Sequence, residues 1–232
     1  AAREEAPEEA PQEAASGGAA APVMRILCVG LGGGAVPAFL ACVLPGCHVD
    51  VVELEPSVLQ AATDSMGFRQ GPRLRVEVGD GAEFALRRAQ DASENGSAYD
   101  AVVIDTFDAQ GNVPEAMWKR TGGLAEALSK GLLKERGVVA VNFLPGTDLT
   151  PRLGAYKRAL AEAGAAPGLS FSVKAEELNL MSVRTCGGPS DIGRDVLEEL
   201  LLAKSREVQM AVRSPFSMSE LAARDVQMWD LT

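Results

Sequence analysis

From position 25 onward the chain alternates between short apolar runs and amphipathic stretches, so the hydrophobic period switches repeatedly between two and about 3.6. Ile26-Leu27-Cys28-Val29 is a bounded apolar run of the kind that forms a buried parallel strand. Gly30-Leu31-Gly32-Gly33-Gly34-Ala35 follows, and then an apolar helix with Pro37 tolerated in its first turn. A second strand over 48–52 ends at Glu53, and Pro56 opens a helix whose apolar positions fall in 58–66. Residues 73–78 alternate as strand three and close at Gly79-Asp80-Gly81. A helix over 82–88 and a polar loop over 90–98 lead to strand four, 99–104, which ends at Asp105.

The loop 109–120 carries Pro114 and Trp118, and a helix over 123–133 leads to strand five at 137–143. A helix over 151–163 precedes two strand-like runs, 169–174 and 178–185, joined by Ala175-Glu176-Glu177. So short a link cannot make a parallel crossover, so these two strands must be antiparallel neighbours. Residues 191–212 and 217–229 read as two amphipathic helices, and no internal repeat is visible. Alternating strands and helices with right-handed crossovers predict an α/β fold. The expectation is a doubly wound, Rossmann-like, seven-stranded sheet ending in an antiparallel C-terminal hairpin.

The first 22 residues change the domain picture. They hold Ala, Glu, Pro and Gly without one large apolar side chain, and five Glu against one Arg. Such a segment cannot bury enough surface to offset its ordering entropy, so 1–22 is expected to be a disordered tail or linker and 23–232 the folded domain. The absence of an initiating Met suggests a piece of a longer protein.

The totals narrow the chemistry. A net charge of −10 argues against a nucleic-acid backbone as partner and suits a basic or amine substrate. No run of about 18 apolar residues exists, so no membrane span is expected. Cys28, Cys42, Cys47 and Cys186 form no CxxC pair and read as reduced thiols of a cytoplasmic protein. Cys42, Cys47 and His48 lack a fourth ligand nearby, so no metal is expected.

Ligands in open α/β sheets bind beyond the carboxyl ends of the strands. The first four strands end in the glycine loop, Glu53, Asp80 and Asp105. Glu53, 23 residues after Gly30, stands where a ribose diol needs an acceptor. Asp80 fits a helix N-cap, with Glu83 completing a capping box, and also a contact to an adenine amino group; the two roles are compatible. Asp105 is either a turn former or a group at the reacting centre, and Asp108 is a weaker candidate. Phe107 and Trp118 fit either a substrate mouth or packing, and His48, the single histidine, lies far from the crevice.

The run ILCVGLGGGAVPAFL, with VDVVELEPSVLQAATDSMGF, RLRVEVGDGAEF and YDAVVIDTFDA, resembles the spermidine-synthase-like branch of class I S-adenosylmethionine-dependent methyltransferases, the elongation factor 1-alpha methyltransferases above all. The likeness covers about residues 24–186. It implies S-adenosyl-L-methionine as cofactor, with contacts from Gly30, Gly32 and Gly34, ribose binding by Glu53 and adenine contacts from Asp80 and Gly81. Asp105 takes the place of the acid at the catalytic end of strand four, and the acceptor is expected to be an amine of a protein or of a small molecule. Aminopropyltransferases share the D-x-x-D of Asp105 and Asp108, but their glycine loop carries an aspartate where this chain has Gly33, and a proline where it has Ala109. Polyamine synthesis and a non-catalytic, cofactor-binding interaction module are the two alternatives.

Overall fold

The computed structural model describes residues 24–144, 146–163, 170–175, 179–185 and 194–229. The expected tail, the Glu176-Glu177 link and Cys186 lie outside the described residues. The strands are β1 (Met24–Val29), β2 (Cys47–Glu53), β3 (Leu74–Val78), β4 (Tyr99–Ile104), β5 (Leu133–Phe143), β6 (Ser170–Ala175), β7 (Asn179–Thr185) and β8 (Val226–Trp229). The helices are α1 (Ala35–Val43), α2 (Pro56–Ser65), α3 (Gly81–Asn95), α4 (Leu124–Ser129), α5 (Thr150–Glu162), α6 (Arg194–Val212) and α7 (Met218–Asp225).

Among the described residues the sheet runs in the order β3-β2-β1-β4-β5-β7-β6-β8. The first five strands in that order are mutually parallel, and β7, β6 and β8 join by antiparallel pairings. The fold is therefore a Rossmann-like α/β sheet. Its chain direction across the sheet reverses between β1 and β4, the topological switch point where ligands bind in such sheets.

The apolar run of β1 is explained by helices on both faces. Ile26 and Cys28 pack with Ala41 of α1 and Ala62 of α2, while Leu27 and Val29 pack with Ala85 of α3, Leu128 of α4 and Tyr156 of α5. A strand covered on two sides has no polar face to show, so alternation disappears.

Three elements differ from the sequence expectation. The stretch 90–98 is not a loop: α3 continues to Asn95, because Ala82, Ala85, Ala89 and Ala92 keep one face buried at helical spacing until Gly96, in the left-handed region, ends it. The helix over 123–133 stops at Ser129, where Gly131 (φ 89°) turns the chain into a longer β5. The segment 217–229 divides into α7 and then β8, which pairs with β6, so the described sheet has eight strands and not seven. Val226-Gln227-Met228-Trp229 has the alternation and the β-branched and aromatic residues of a strand, hidden behind an amphipathic run.

Cys28, Cys42 and Cys47 are free thiols. Burial, with smaller contributions from Cys47 and Asp105, pushes the Cys28 thiol up to about 12. Burial raises Cys47 as well, whereas Cys42 is exposed. Only the thiolate attacks an alkylating agent, so at pH 8 on the order of one Cys28 side chain in 10⁴ is reactive. Brief iodoacetamide treatment at pH 8, followed by peptide mass mapping, is expected to label Cys42 and leave Cys28 and Cys47 intact until the protein is unfolded.

No helix among the described residues is long and apolar enough to cross a membrane.

Candidate functional site

The carboxyl ends of the first four strands are tied to one another by backbone hydrogen bonds. Gly30 N–H donates to the Val52 carbonyl, Asp105 N–H to the Val29 carbonyl, and Gly79 N–H to the Glu53 carbonyl, each at 2.9 Å. These bonds carry the sheet ladder one residue beyond the strands. They bring the glycine loop, Glu53, the turn before α3 and Asp105 to a single edge.

The glycine loop is built for close approach. Gly30, Gly32 and Gly34 have φ of 96°, 52° and 78°, a region that side chains rarely adopt. A Cβ on Gly30 would lie 2.1 Å from the Asp105 carbonyl oxygen, and one on Gly34 would lie 2.2 Å from the Phe68 ring. A Cβ on Gly32 would meet nothing, so that stretch of backbone is open to a ligand. A left-handed Gly34 then caps α1, whose first N–H groups point toward the same edge.

Glu53 is the one buried charged side chain among the described residues, at 8% exposure. Its Oε2 accepts from Leu31 N–H and its Oε1 from Glu55 N–H, both at 2.9 Å. The carboxylate therefore pins the glycine loop to the end of β2. A carboxylate has about four lone-pair positions, so two remain for a diol. Leu54, next in sequence, and Val78, the register partner of Glu53 on β3, are exposed apolar side chains.

Asp80 caps α3. Its Oδ1 accepts from Ala82 N–H at 2.8 Å and from Glu83 N–H at 2.9 Å. A Cβ on Gly81 would lie 2.6 Å from a Val29 methyl, so glycine lets the helix begin against β1. The capping role is thus realised, and the second carboxylate oxygen makes neither of these bonds.

Asp105 is exposed at the end of β4, and its Oδ1 accepts from the Asn142 side-chain amide at 2.8 Å. Asn142 went unremarked in the sequence. The signal was present, since it is the single amide in the otherwise apolar run Val138-Val139-Ala140-Val141-Asn142-Phe143. Its own carbonyl oxygen is buried and has no donor among the described residues.

The other candidates separate from this edge. Asp108 forms its own turn: Oδ1 accepts from Gln110 and Asn112 N–H at 2.9 and 2.8 Å, which is the Asx-type role. Trp118 packs against the core with the Arg152 guanidinium over its ring at 5.6 Å, while Phe107 is exposed. His48 lies near the amino end of β2, away from the strand ends that carry the glycine loop.

No protein-family model matches the chain. It is 37% identical over 125 residues to a polyamine aminopropyltransferase of Vibrio vulnificus, a match covering 54% of this chain and 39% of that protein. It is 38% identical over 82 residues to the eEF1A lysine and N-terminal methyltransferase of Bos taurus, covering 35% of this chain but 11% of that protein. The matched segments thus span well under half of these curated relatives. Among solved structures, human Methyltransferase-like protein 13 in complex with SAH superposes with a TM-score of 0.62 at 25% identity, covering 90% of this chain and 86% of that one. The chain has the class I S-adenosylmethionine-dependent methyltransferase fold and is a homologue of the eEF1A lysine and N-terminal methyltransferases, with the spermidine-synthase-like proteins as neighbours.

Proposed function

We propose that the chain is an S-adenosylmethionine-dependent methyltransferase, and that its acceptor is an amine of a protein, a lysine side chain or an N-terminus. The observation that carries this reading is the position of Asp105. It stands at the switch point, one backbone hydrogen bond from β1, with one carboxylate oxygen held by Asn142. The antiparallel pairings of β6 and β7 beyond five parallel strands support it, as this is the sheet ending that such enzymes use.

The residues present fit the cofactor. Open backbone at Gly32, flanked by the positive-φ glycines 30 and 34, offers N–H groups to the amino-acid end. The inward carboxylate of Glu53 offers acceptors to a ribose diol, and Asp80 and Gly81 lie where the adenine is expected. When bound, the cofactor supplies a methyl group activated on a sulfonium. The chain's own work is positioning: an amine held with its lone pair about 3 Å from the methyl carbon gains several kcal/mol of barrier reduction from orientation alone. Asp105, with one oxygen fixed by Asn142, has the other to accept the amine's N–H and ease loss of its proton. A chain of net charge −10 attracts a cationic acceptor. Two buried free thiols suit the expected cytoplasmic setting.

Polyamine aminopropyl transfer is the second reading, favoured by the match to the Vibrio vulnificus protein. Two features weigh against it. Asp108 has one oxygen committed to its own turn, and Gly33 supplies no carboxylate where the aminopropyltransferase loop carries an aspartate.

Incubation with isotopically labelled methyl donor and a cell extract, with the labelled species identified by mass spectrometry, tests the choice. Methyl-labelled protein amine is expected, and Asp105→Asn should slow the transfer by about 10²-fold or more while leaving cofactor affinity intact. Turnover of putrescine with the decarboxylated cofactor, and none with the methyl donor, would establish the second reading instead.

A further inference from the structure

At the opposite end of the sheet, about 17 Å from the glycine loop along β1, lies a cavity of about 560 Å³ at the amino ends of the parallel strands. Its lining includes Arg25, Arg73, Arg75, Arg88 and Lys134 against a single carboxylate, Asp50. Five cations around one cavity are unexpected in a chain whose net charge is −10.

Part of that charge builds the floor. Asp50 Oδ2 accepts from Arg88 at 3.0 Å, from Arg25 at 3.3 Å and from the Tyr99 hydroxyl at 2.7 Å. Arg25 also donates to the Ser97 carbonyl, and its guanidinium lies 5.0 Å from the Tyr99 ring centre. Tyr99 is buried, and that burial together with the Asp50 carboxylate holds its phenol above the usual range, so it remains a donor to Asp50. Arg88 also pairs with Asp91, and Lys134 with Asp100. Three of the five cations are thereby compensated.

Arg73 and Arg75 are not. Both are exposed, Arg73 makes one long contact to the Leu44 carbonyl at 3.5 Å, and neither has a carboxylate partner among the described residues. Structural pairing accounts for the floor and leaves these two guanidiniums over. Two uncompensated forks of N–H donors match a group with about two negative charges and several acceptor oxygens, which is a phosphate monoester and not a lone carboxylate. The cavity's size is that of a small-molecule site.

We propose that this cavity is a second ligand site, which takes the phosphate of a small phosphorylated molecule between Arg73 and Arg75. The preformed Arg25-Asp50-Arg88 floor keeps the site positive and fixed in shape. The site is independent of methyl transfer, and its failure would leave the cofactor cleft untouched.

The test is calorimetric titration of the full chain with inorganic phosphate and with pyrophosphate, each against sodium chloride at matched ionic strength. Saturable binding of phosphate or pyrophosphate is expected. The variant R73A/R75A, which alters exposed side chains only, should bind at least tenfold more weakly with an unchanged thermal unfolding midpoint. Heats matching the chloride control would overturn the proposal, as would unchanged binding in the double variant. A phosphoserine peptide that binds where neither phosphate nor pyrophosphate does would assign the face to a protein partner and also overturn it.

Discussion

Glu53→Ala is expected to abolish measurable S-adenosylmethionine binding at concentrations that saturate the parent chain. Two effects combine. The diol loses its acceptors, and two charge-assisted hydrogen bonds are together worth about 3 kcal/mol, roughly 10²-fold in affinity. The glycine loop also loses its tether, since the Leu31 N–H that Glu53 satisfies is buried and has no alternative acceptor in the arrangement described. An orphaned buried donor costs about 1–3 kcal/mol of stability. Glu53→Gln separates the two. Both carboxylate oxygens accept from N–H groups, so the amide must turn its NH₂ toward either Leu31 or Glu55 whichever way it is placed. The glutamine variant should therefore remain weakened, by about tenfold or more, despite its matching shape. Isothermal titration with circular dichroism on the same samples reads binding and folding separately. Parent-like affinity in the alanine variant would remove Glu53 from the site.

Gly30→Ala is the second large effect, and it falls on the fold before it falls on the ligand. Gly30 has φ of 96° and a Cβ there would lie 2.1 Å from the backbone oxygen of Asp105. That oxygen belongs to the residue whose N–H donates to Val29, so the clash cannot be relieved without parting β1 from β4 at the switch point. Strained φ and a backbone collision together should cost about 3 kcal/mol or more. For a domain of this size that is a fall of roughly 6–12 °C in the unfolding midpoint. Gly32→Ala is the matched control, because its added Cβ meets nothing. It should unfold close to the parent, with φ strain alone as its cost, and its defect should show in cofactor binding. Equal midpoints for the Gly30 variant and the parent, measured by calorimetry, would contradict the packing described at this edge.

What the sequence made legible was the part where local pattern and tertiary role agree. β1 and β4 end in apolar runs with hard boundaries, and expected and observed spans agree to within two residues because helices cover both faces and the only charged positions, Arg25 and Asp100, fall near the amino ends. Glu53, Asp80 and Asp105 carry another kind of signal: each is an acid at or just past the carboxyl end of a strand, and a parallel sheet sends all such ends to one edge. The structure places them there, shows Asp80 as the expected cap of α3, and adds what spacing alone cannot show, that the Glu53 carboxylate also accepts two backbone N–H groups.

The losses have physical causes. The second half of α3 was hidden because its buried face is alanine, which weighs little in a hydrophobic pattern, while its outer face is Gln, Asp, Ser and Glu. β8 was hidden because four residues that alternate can extend an amphipathic helix on paper, and only a partner strand decides. Asn142 was passed over because its meaning depends on Asp105, 37 residues earlier in the chain and adjacent only across β4 and β5.

A crystal structure of the chain with S-adenosylhomocysteine is the most direct test of the proposed cleft. The expected density lies along the backbone of Gly30 to Gly34, with the ribose hydroxyls on the Glu53 carboxylate, the adenine beside Asp80 and Gly81, and the sulfur facing Asp105. Ligand density at any other edge of the sheet, or in this cleft with Glu53 still bonded only to Leu31 and Glu55, would contradict it.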